Sequence, residues 1–174
     1  TLRDLIFDPE FGGGIPDGKE LKFYHLGGQS GPIGFPEQLD TRYDHTSLKK
    51  QGLSIGSGAI VVMDETVCII DYLKKVSEFF IHESCGKCVP CREGNRQMYM
   101  IHRFATGLAT ERDFERMERL SFTMATASSC GLGQSACTAL DSCLKHRREE
   151  FQSHIKGICP VCLNSRKYGD QYAY

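Results

Sequence analysis

No apolar run in this 174-residue chain approaches the roughly 20 residues that a bilayer-spanning helix requires, so no membrane insertion is expected. Charge of one sign is lacking too: 21 basic side chains against 22 acidic ones leave a formal net charge of -1. With no basic stripe interleaved with aromatics, that balance gives no electrostatic reason to expect nucleic acid as a partner. No signal peptide opens the chain, and Thr1-Leu2-Arg3-Asp4-Leu5-Ile6 reads as a capped helix start without an initiator methionine, hence as an excerpt or truncated subunit. Phosphate-cradle patterns are missing as well. Neither Gly12-Gly13-Gly14-Ile15-Pro16-Asp17-Gly18 nor Gly27-Gly28-Gln29-Ser30-Gly31-Pro32-Ile33-Gly34 follows Gly-x-Gly-x-x-Gly or ends in Gly-Lys-Ser/Thr, and Gly56-Ser57-Gly58 fails the same test. These glycines read as turns.

What the chain does have is cysteine. There are nine, an odd number with metal-type spacing, which fits a reducing cytoplasm better than a secreted disulfide scaffold. In Glu83-Ser84-Cys85-Gly86-Lys87-Cys88-Val89-Pro90-Cys91-Arg92-Glu93-Gly94, Cys85, Cys88 and Cys91 can turn three thiolates onto one point from a single short loop, as an iron-sulfur cluster requires. Bacterial ferredoxins supply a fourth cysteine three residues on, followed by proline. Here Arg92-Glu93-Gly94-Asn95 follows instead, so the fourth ligand comes from elsewhere, with Cys130 in Ser128-Ser129-Cys130-Gly131-Leu132-Gly133 as the candidate. Its glycines let the backbone approach a bulky inorganic core and offer amides to its sulfurs. A four-cysteine structural zinc module is the rival reading, although zinc sites more often present two pairs.

The periodicity divides the chain and predicts an α+β fold. Residues 1–63 form a small mixed domain with one short helix, a strand over Leu21 to Leu26 and a second, fully buried strand over Ala59-Ile60-Val61-Val62-Met63. From Asp64 to residue 155 the period becomes helical. Asp64 caps a first helix through Val67, Ile70, Leu73, Val76 and Phe80, and a second runs from Arg92 to Phe104. Thr110 and Asp113 form a capping box opening a third helix through Phe114, Met117 and Leu120, and a fourth spans Gly133 to Ile155 with Cys137, Leu140, Leu144, Phe151 and Ile155 on one face. An up-down four-helix bundle then brings both cysteine loops to the same end.

The run from Leu48 through Gly56-Ser57-Gly58-Ala59-Ile60-Val61-Val62-Met63-Asp64-Glu65-Thr66, together with both cysteine loops, resembles the NADH-binding flavoprotein subunit of respiratory complex I. It is most similar to that family's relatives in NAD(P)-linked, often electron-bifurcating, hydrogenases and formate dehydrogenases. The resemblance covers about residues 1 to 155. It implies a ubiquitin-like β-grasp domain of the soluble-ligand-binding type followed by a helical bundle that binds one [4Fe-4S] cluster through Cys85, Cys88, Cys91 and Cys130. It implies single-electron relay from a flavin that has accepted hydride from NADH. It also implies partner subunits, among them a flavin- and NAD(P)H-binding domain and a thioredoxin-like [2Fe-2S] subunit. The family's flavin- and nucleotide-binding domain is absent from these residues, so FMN and NAD(P) are expected only in a missing domain or a partner.

The tail, residues 156–174, carries a second pair in His154-Ile155-Lys156-Gly157-Ile158-Cys159-Pro160-Val161-Cys162. His154, Cys159 and Cys162 support two readings equally: a structural zinc site, or a free dithiol or disulfide that would make a thiol redox sensor. A zinc site needs one more ligand. Cys143 would be roughly 16 Å from His154 on one helix at about 1.5 Å per residue, so a ligand from the preceding domain or a partner is required. Cys68, Cys137 and, less clearly, Cys143 read as core thiols. His82 reads as the last polar residue of its helix, and Lys145-His146-Arg147-Arg148-Glu149-Glu150 as a solvated face with local ion pairs. Lys87 and Arg92, beside the cluster cysteines, either raise a cluster's potential and dock an acidic partner or are plain surface charge.

Overall fold

The computed structural model describes residues 1–159 and Val161, and it opens with α1 (Leu2–Phe7). Thr1 caps that helix by accepting the Asp4 amide at 3.3 Å, while the Asp4 carboxylate reaches back to the Thr1 nitrogen at 2.7 Å. Next come β1 (Leu21–Leu26), β2 (Ile33–Gly34), α2 (His45–Lys50) and β3 (Ile60–Asp64). The strands form one antiparallel sheet in the order β2-β1-β3, with Tyr24 opposite both Gly34 and Val62.

Strand alternation decides which core each side chain of β1 joins. Tyr24 and Leu26 pack with Leu2, Ile6, Leu39, Leu48 and Leu53 on one face. Phe23 turns the other way, into the helical core with Ile69, Ile70 and Leu73. β1 is therefore covered on both faces. β3, expected to be fully buried, is an edge strand of the sheet among the described residues, and its Val61 is 48% exposed. A Cβ at Gly34 would fall on the Tyr24 ring, which explains glycine there.

The first long helix starts later than expected, and the reason is local. Asp64 accepts the Thr66 amide at 2.8 Å and the Lys19 ammonium at 2.9 Å, and the Thr66 hydroxyl and Lys19 hold its carboxyl down at about 2. It closes a turn rather than a helix, and α3 (Ile69–Glu83) begins behind Cys68 at the N-cap. Ile69, Ile70, Leu73, Val76 and Phe80 form its buried stripe. The predicted second helix is broken into α4 (Val89–Met98) and α5 (Ile101–Ala105), with the Tyr99 ring stacked on His102 at 5.1 Å across the break.

The capping box is present at α6 (Glu111–Ala127): Asp113, 1% exposed, accepts the Thr110 amide at 2.7 Å and its hydroxyl at 3.0 Å. Burial would raise the Asp113 carboxyl, but those bonds together with Arg103 and Arg116 hold it below the ordinary range. The single fourth helix expected over Gly133 to Ile155 is three segments, α7 (Gly131–Ser135), α8 (Thr138–His146) and α9 (Arg148–Ile155). Four long helices thus become seven shorter segments among the described residues.

The second of those breaks has a tertiary cause. At Arg147 the backbone leaves helical angles (φ -141, ψ 35) while its guanidinium makes paired bonds of 2.9 and 2.8 Å to Glu37 and lies 4.2 Å over the Phe35 ring. Arg148 reaches Glu118 at 2.8 Å and Glu150 reaches Lys22 at 3.0 Å, so the charge run ties distant segments rather than pairing locally. Behind it, Phe104 packs edge-on against both Phe114 and Phe151, each ring contributing about 1.5–3 kcal/mol by burial. Among the described residues, no helix is long and apolar enough to cross a membrane.

Candidate metal centre

α3 ends at Ser84, whose extended backbone starts the cysteine loop. Gly86 takes φ 74, which turns the chain back, and the Arg92 guanidinium clasps the Gly86 carbonyl at 2.7 Å. Cys88 is the N-cap of α4 and Pro90 sits in its first turn, where a missing amide costs nothing. Cys85 is exposed, Cys88 half-buried and Cys91 buried. The loop therefore presents its thiols at graded depth from one turn.

The remote loop meets it. α6 stops at Ser128, and Cys130 is the exposed N-cap of α7. The Cys88 thiol is held below its ordinary value, first by the Ser129 amide and then by the Cys91 amide. A Cβ at Gly133 would lie 2.6 Å from the Ser128 oxygen and 2.9 Å from the Cys91 Cβ, so the loops close only over glycine.

The residues fit a cluster on two further observations. Cys91 Sγ lies 3.3 Å from Asn95 Nδ2 and 3.4 Å from Ser84 Oγ, both able to donate to a metal-bound sulfur. The buried Ser128 hydroxyl has no hydrogen-bond partner among the described residues, and it stands beside Gly133 at this junction.

A second group is tighter. Cys68 Sγ, a His154 ring nitrogen and Cys159 Sγ all lie within 4.8 Å of one another, and each of the three residues is buried. His154 Nδ1 is 3.1 Å from the Phe104 carbonyl, which can only accept, so Nδ1 carries the proton. The lone pair is then on Nε2, 3.2 Å from Cys68 Sγ, the tautomer a metal requires. Two of the tail residues singled out in the sequence, His154 and Cys159, are thus together, and Cys162 lies outside the described residues. Cys68 is more than the core thiol its apolar helix start suggests: it stands against His154, to which no local spacing in the sequence joins it.

The remaining cysteines are core residues. Burial pushes Cys137 up to about 12, with Asp141 adding to it, and raises Cys143 further still. The one-helix distance from Cys143 to His154 no longer applies once the chain breaks at Arg147, yet Cys143 takes no part in the tight group. His82 is exposed and pairs with Glu83 at 2.9 Å, a helix-end residue as expected. Arg92 serves the loop through Gly86, while Lys87 is exposed.

Comparison with known proteins points to the same part of the chain. Residues 71–154 match the NADH-ubiquinone oxidoreductase-F iron-sulfur binding region. The chain is 36% identical over 162 residues to the F-type subunit of the NADH-quinone oxidoreductase of Mycobacterium bovis, covering 92% of this chain and 36% of that one. It is 37% identical over 163 residues to the HndC component of the NADP-reducing hydrogenase of Solidesulfovibrio fructosivorans, covering 92% and 33%. The chain spans about a third of the length of these curated relatives. An NAD+-reducing [NiFe]-hydrogenase in the H2-reduced state shares the fold, with TM-score 0.72 at 24% identity over 88% of this chain and 28% of that one. The air-oxidized form of such an enzyme gives TM-score 0.71 at 28% identity, over 79% and 24%.

Proposed function

We propose that this chain, which carries in residues 71–154 an iron-sulfur binding region of the NADH-ubiquinone oxidoreductase-F kind, is the one-electron relay module of an NAD(P)H-linked oxidoreductase. Cys85, Cys88, Cys91 and Cys130 hold a [4Fe-4S] cluster, and the observation that carries the reading is the close approach of the two cysteine loops at Gly133, where a Cβ would lie 2.9 Å from the Cys91 Cβ. That approach brings the local triad to the loop of the remote ligand. Once bound, the cluster supplies single-electron uptake and release.

The chain's own groups hold the thiolates ready. Amides stabilise negative charge on Cys88, Gly133 admits the close approach to Cys91, and Arg92 clamps the loop through Gly86. Residues 1–63 are a β-grasp domain of the soluble-ligand-binding type, residues 64–155 a bundle whose second and fourth arms are bent, and residues 156–174 a tail. FMN and NAD(P) belong to another domain or chain, and a thioredoxin-like [2Fe-2S] protein is a further partner. The names of the relatives, each a component of a larger oxidoreductase or hydrogenase, support an assembly of this kind; its place in the cytoplasm rests on the nine cysteines with metal-type spacing. Anaerobic mixing of the loaded chain with chemically reduced FMN tests the relay. Bleaching of the cluster absorbance that is lost in Cys88→Ala supports it, and a fully loaded chain that reduced flavin never bleaches contradicts it.

A second reading concerns the other group. Cys68, His154 and Cys159 hold a structural zinc ion that fastens Cys159 to the start of α3; the 3.2 Å approach of His154 to Cys68 favours this over a free dithiol sensor.

A further inference from the structure

The four cysteines assigned to the cluster are not equivalent. Cys91 Sγ has two side-chain neighbours with hydrogens to give, Asn95 Nδ2 at 3.3 Å and Ser84 Oγ at 3.4 Å, whereas Cys85 and Cys130 are exposed. We infer that Asn95 and Ser84 set the reduction potential of the cluster by donating hydrogen bonds to the Cys91 sulfur. The inference rests on the assignment of Cys85, Cys88, Cys91 and Cys130 as cluster ligands.

Direction follows from the chemistry of the donors. A metal-bound cysteine sulfur has no proton, so in the Ser84 to Cys91 contact the hydroxyl donates. The Gly86 amide, 3.4 Å from Ser84 Oγ, donates to that hydroxyl in turn. Such a chain polarises the hydroxyl and strengthens its bond to sulfur. Asn95 is 3% exposed, and its amide nitrogen has two hydrogens and two acceptors, Cys91 Sγ and the Phe80 carbonyl at 3.4 Å. The second bond ties α4 to the last turn of α3 and holds the first in line. With little water to compete, a donor there acts at low dielectric, where its effect is largest.

Reduction places added negative charge on the cluster and its thiolates. Donors aimed at a ligand sulfur stabilise that charge, so they raise the potential. Asn95 and Ser84 touch only the ligand and the backbone, which makes them positioning residues that tune the centre.

The test is a redox titration monitored by EPR on anaerobically loaded chain, with iron and sulfide measured on every sample. Ser84→Ala and Asn95→Leu each titrate at a more negative potential than the unaltered chain at the same iron and sulfide content. The double variant lies lower still, and Ser84→Thr, which keeps a hydroxyl, stays at the original value. Equal potentials for fully loaded Ser84→Ala, Asn95→Leu and the unaltered chain overturn the inference and leave the cluster assignment standing. If Asn95→Leu fails to load, Ser84→Ala against Ser84→Thr decides alone. An unaltered chain that takes up neither iron nor sulfide overturns the ligand assignment, and this inference with it.

Discussion

The Nε2 nitrogen of His154 stands 3.2 Å from the sulfur of Cys68, although 86 residues separate them in sequence. One comes from the turn that follows the sheet and the other from α9, so an ion held there would bolt the start of α3 to α9. The unaltered chain is expected to hold one zinc in addition to its iron, and Cys68→Ala or His154→Ala to lose the zinc while keeping the iron. Elemental analysis checks this, with Cys143→Ser as the control that keeps both metals. At free zinc 100-fold above its dissociation constant the ion adds about 2.7 kcal/mol of stability, so chelation lowers the unfolding midpoint of the unaltered chain and leaves that of Cys68→Ala unchanged.

His25 predicts a pH response. Its Nε2 is 2.9 Å from the Gly31 carbonyl and its Nδ1 2.7 Å from the Tyr72 hydroxyl, so Nε2 carries the proton and Nδ1 accepts from Tyr72. Burial depresses its pKa below the usual 6.5, against the raising effect of the Gly31 carbonyl. Above that value the ring is neutral whether the chain is folded or not. As pH falls below 6.5 the unfolded chain takes up a proton that the folded one refuses, and stability drops until the folded pKa is passed. His102 and His146 are depressed in the same direction and add to the slope. Urea midpoints measured between neutral and mildly acid pH should fall, and His25→Asn should flatten part of that fall. Tyr72→Phe, which strips Nδ1 of its donor, should cost about 1–3 kcal/mol at neutral pH.

Glycine in the remote loop gives a paired prediction. Gly133→Ala puts a Cβ 2.9 Å from the Cys91 Cβ and should cost about 1–3 kcal/mol while lowering iron content. Gly131→Ala meets no protein atom within 4 Å and should leave the stability unchanged. Thermal unfolding and iron analysis of the two variants side by side measure the contrast.

How much of this was legible in the sequence depends on how local each signal is. The Thr1 and Thr110 caps and the strand over Leu21 to Leu26 each act over a few residues, and each stands where the sequence places it. The spacing of Cys85, Cys88 and Cys91 is equally local. The breaks at Cys137 and Arg147 carry no glycine or proline to announce them. Arg147 departs from the helix while its guanidinium engages Glu37 and Phe35, far away in sequence. Asp64 has the chemistry of a helix cap, but Thr66 and Lys19 compete for its carboxylate. Cys68 looked like any small apolar residue at a helix start, and only the folded chain brings it against His154. Ser84 and Asn95 are ordinary polar residues until Cys91 is seen between them.

The central claim is that Cys130 completes a four-thiolate cluster with Cys85, Cys88 and Cys91. Its most direct test is the iron and sulfide content of anaerobically purified chain together with the EPR spectrum after dithionite reduction, for the unaltered protein and Cys130→Ala. Near-equal iron and sulfide with a reduced-cluster signal, reshaped or lost in Cys130→Ala, is the predicted result. Zinc without sulfide in the unaltered chain, or a signal that Cys130→Ala leaves untouched, would contradict it.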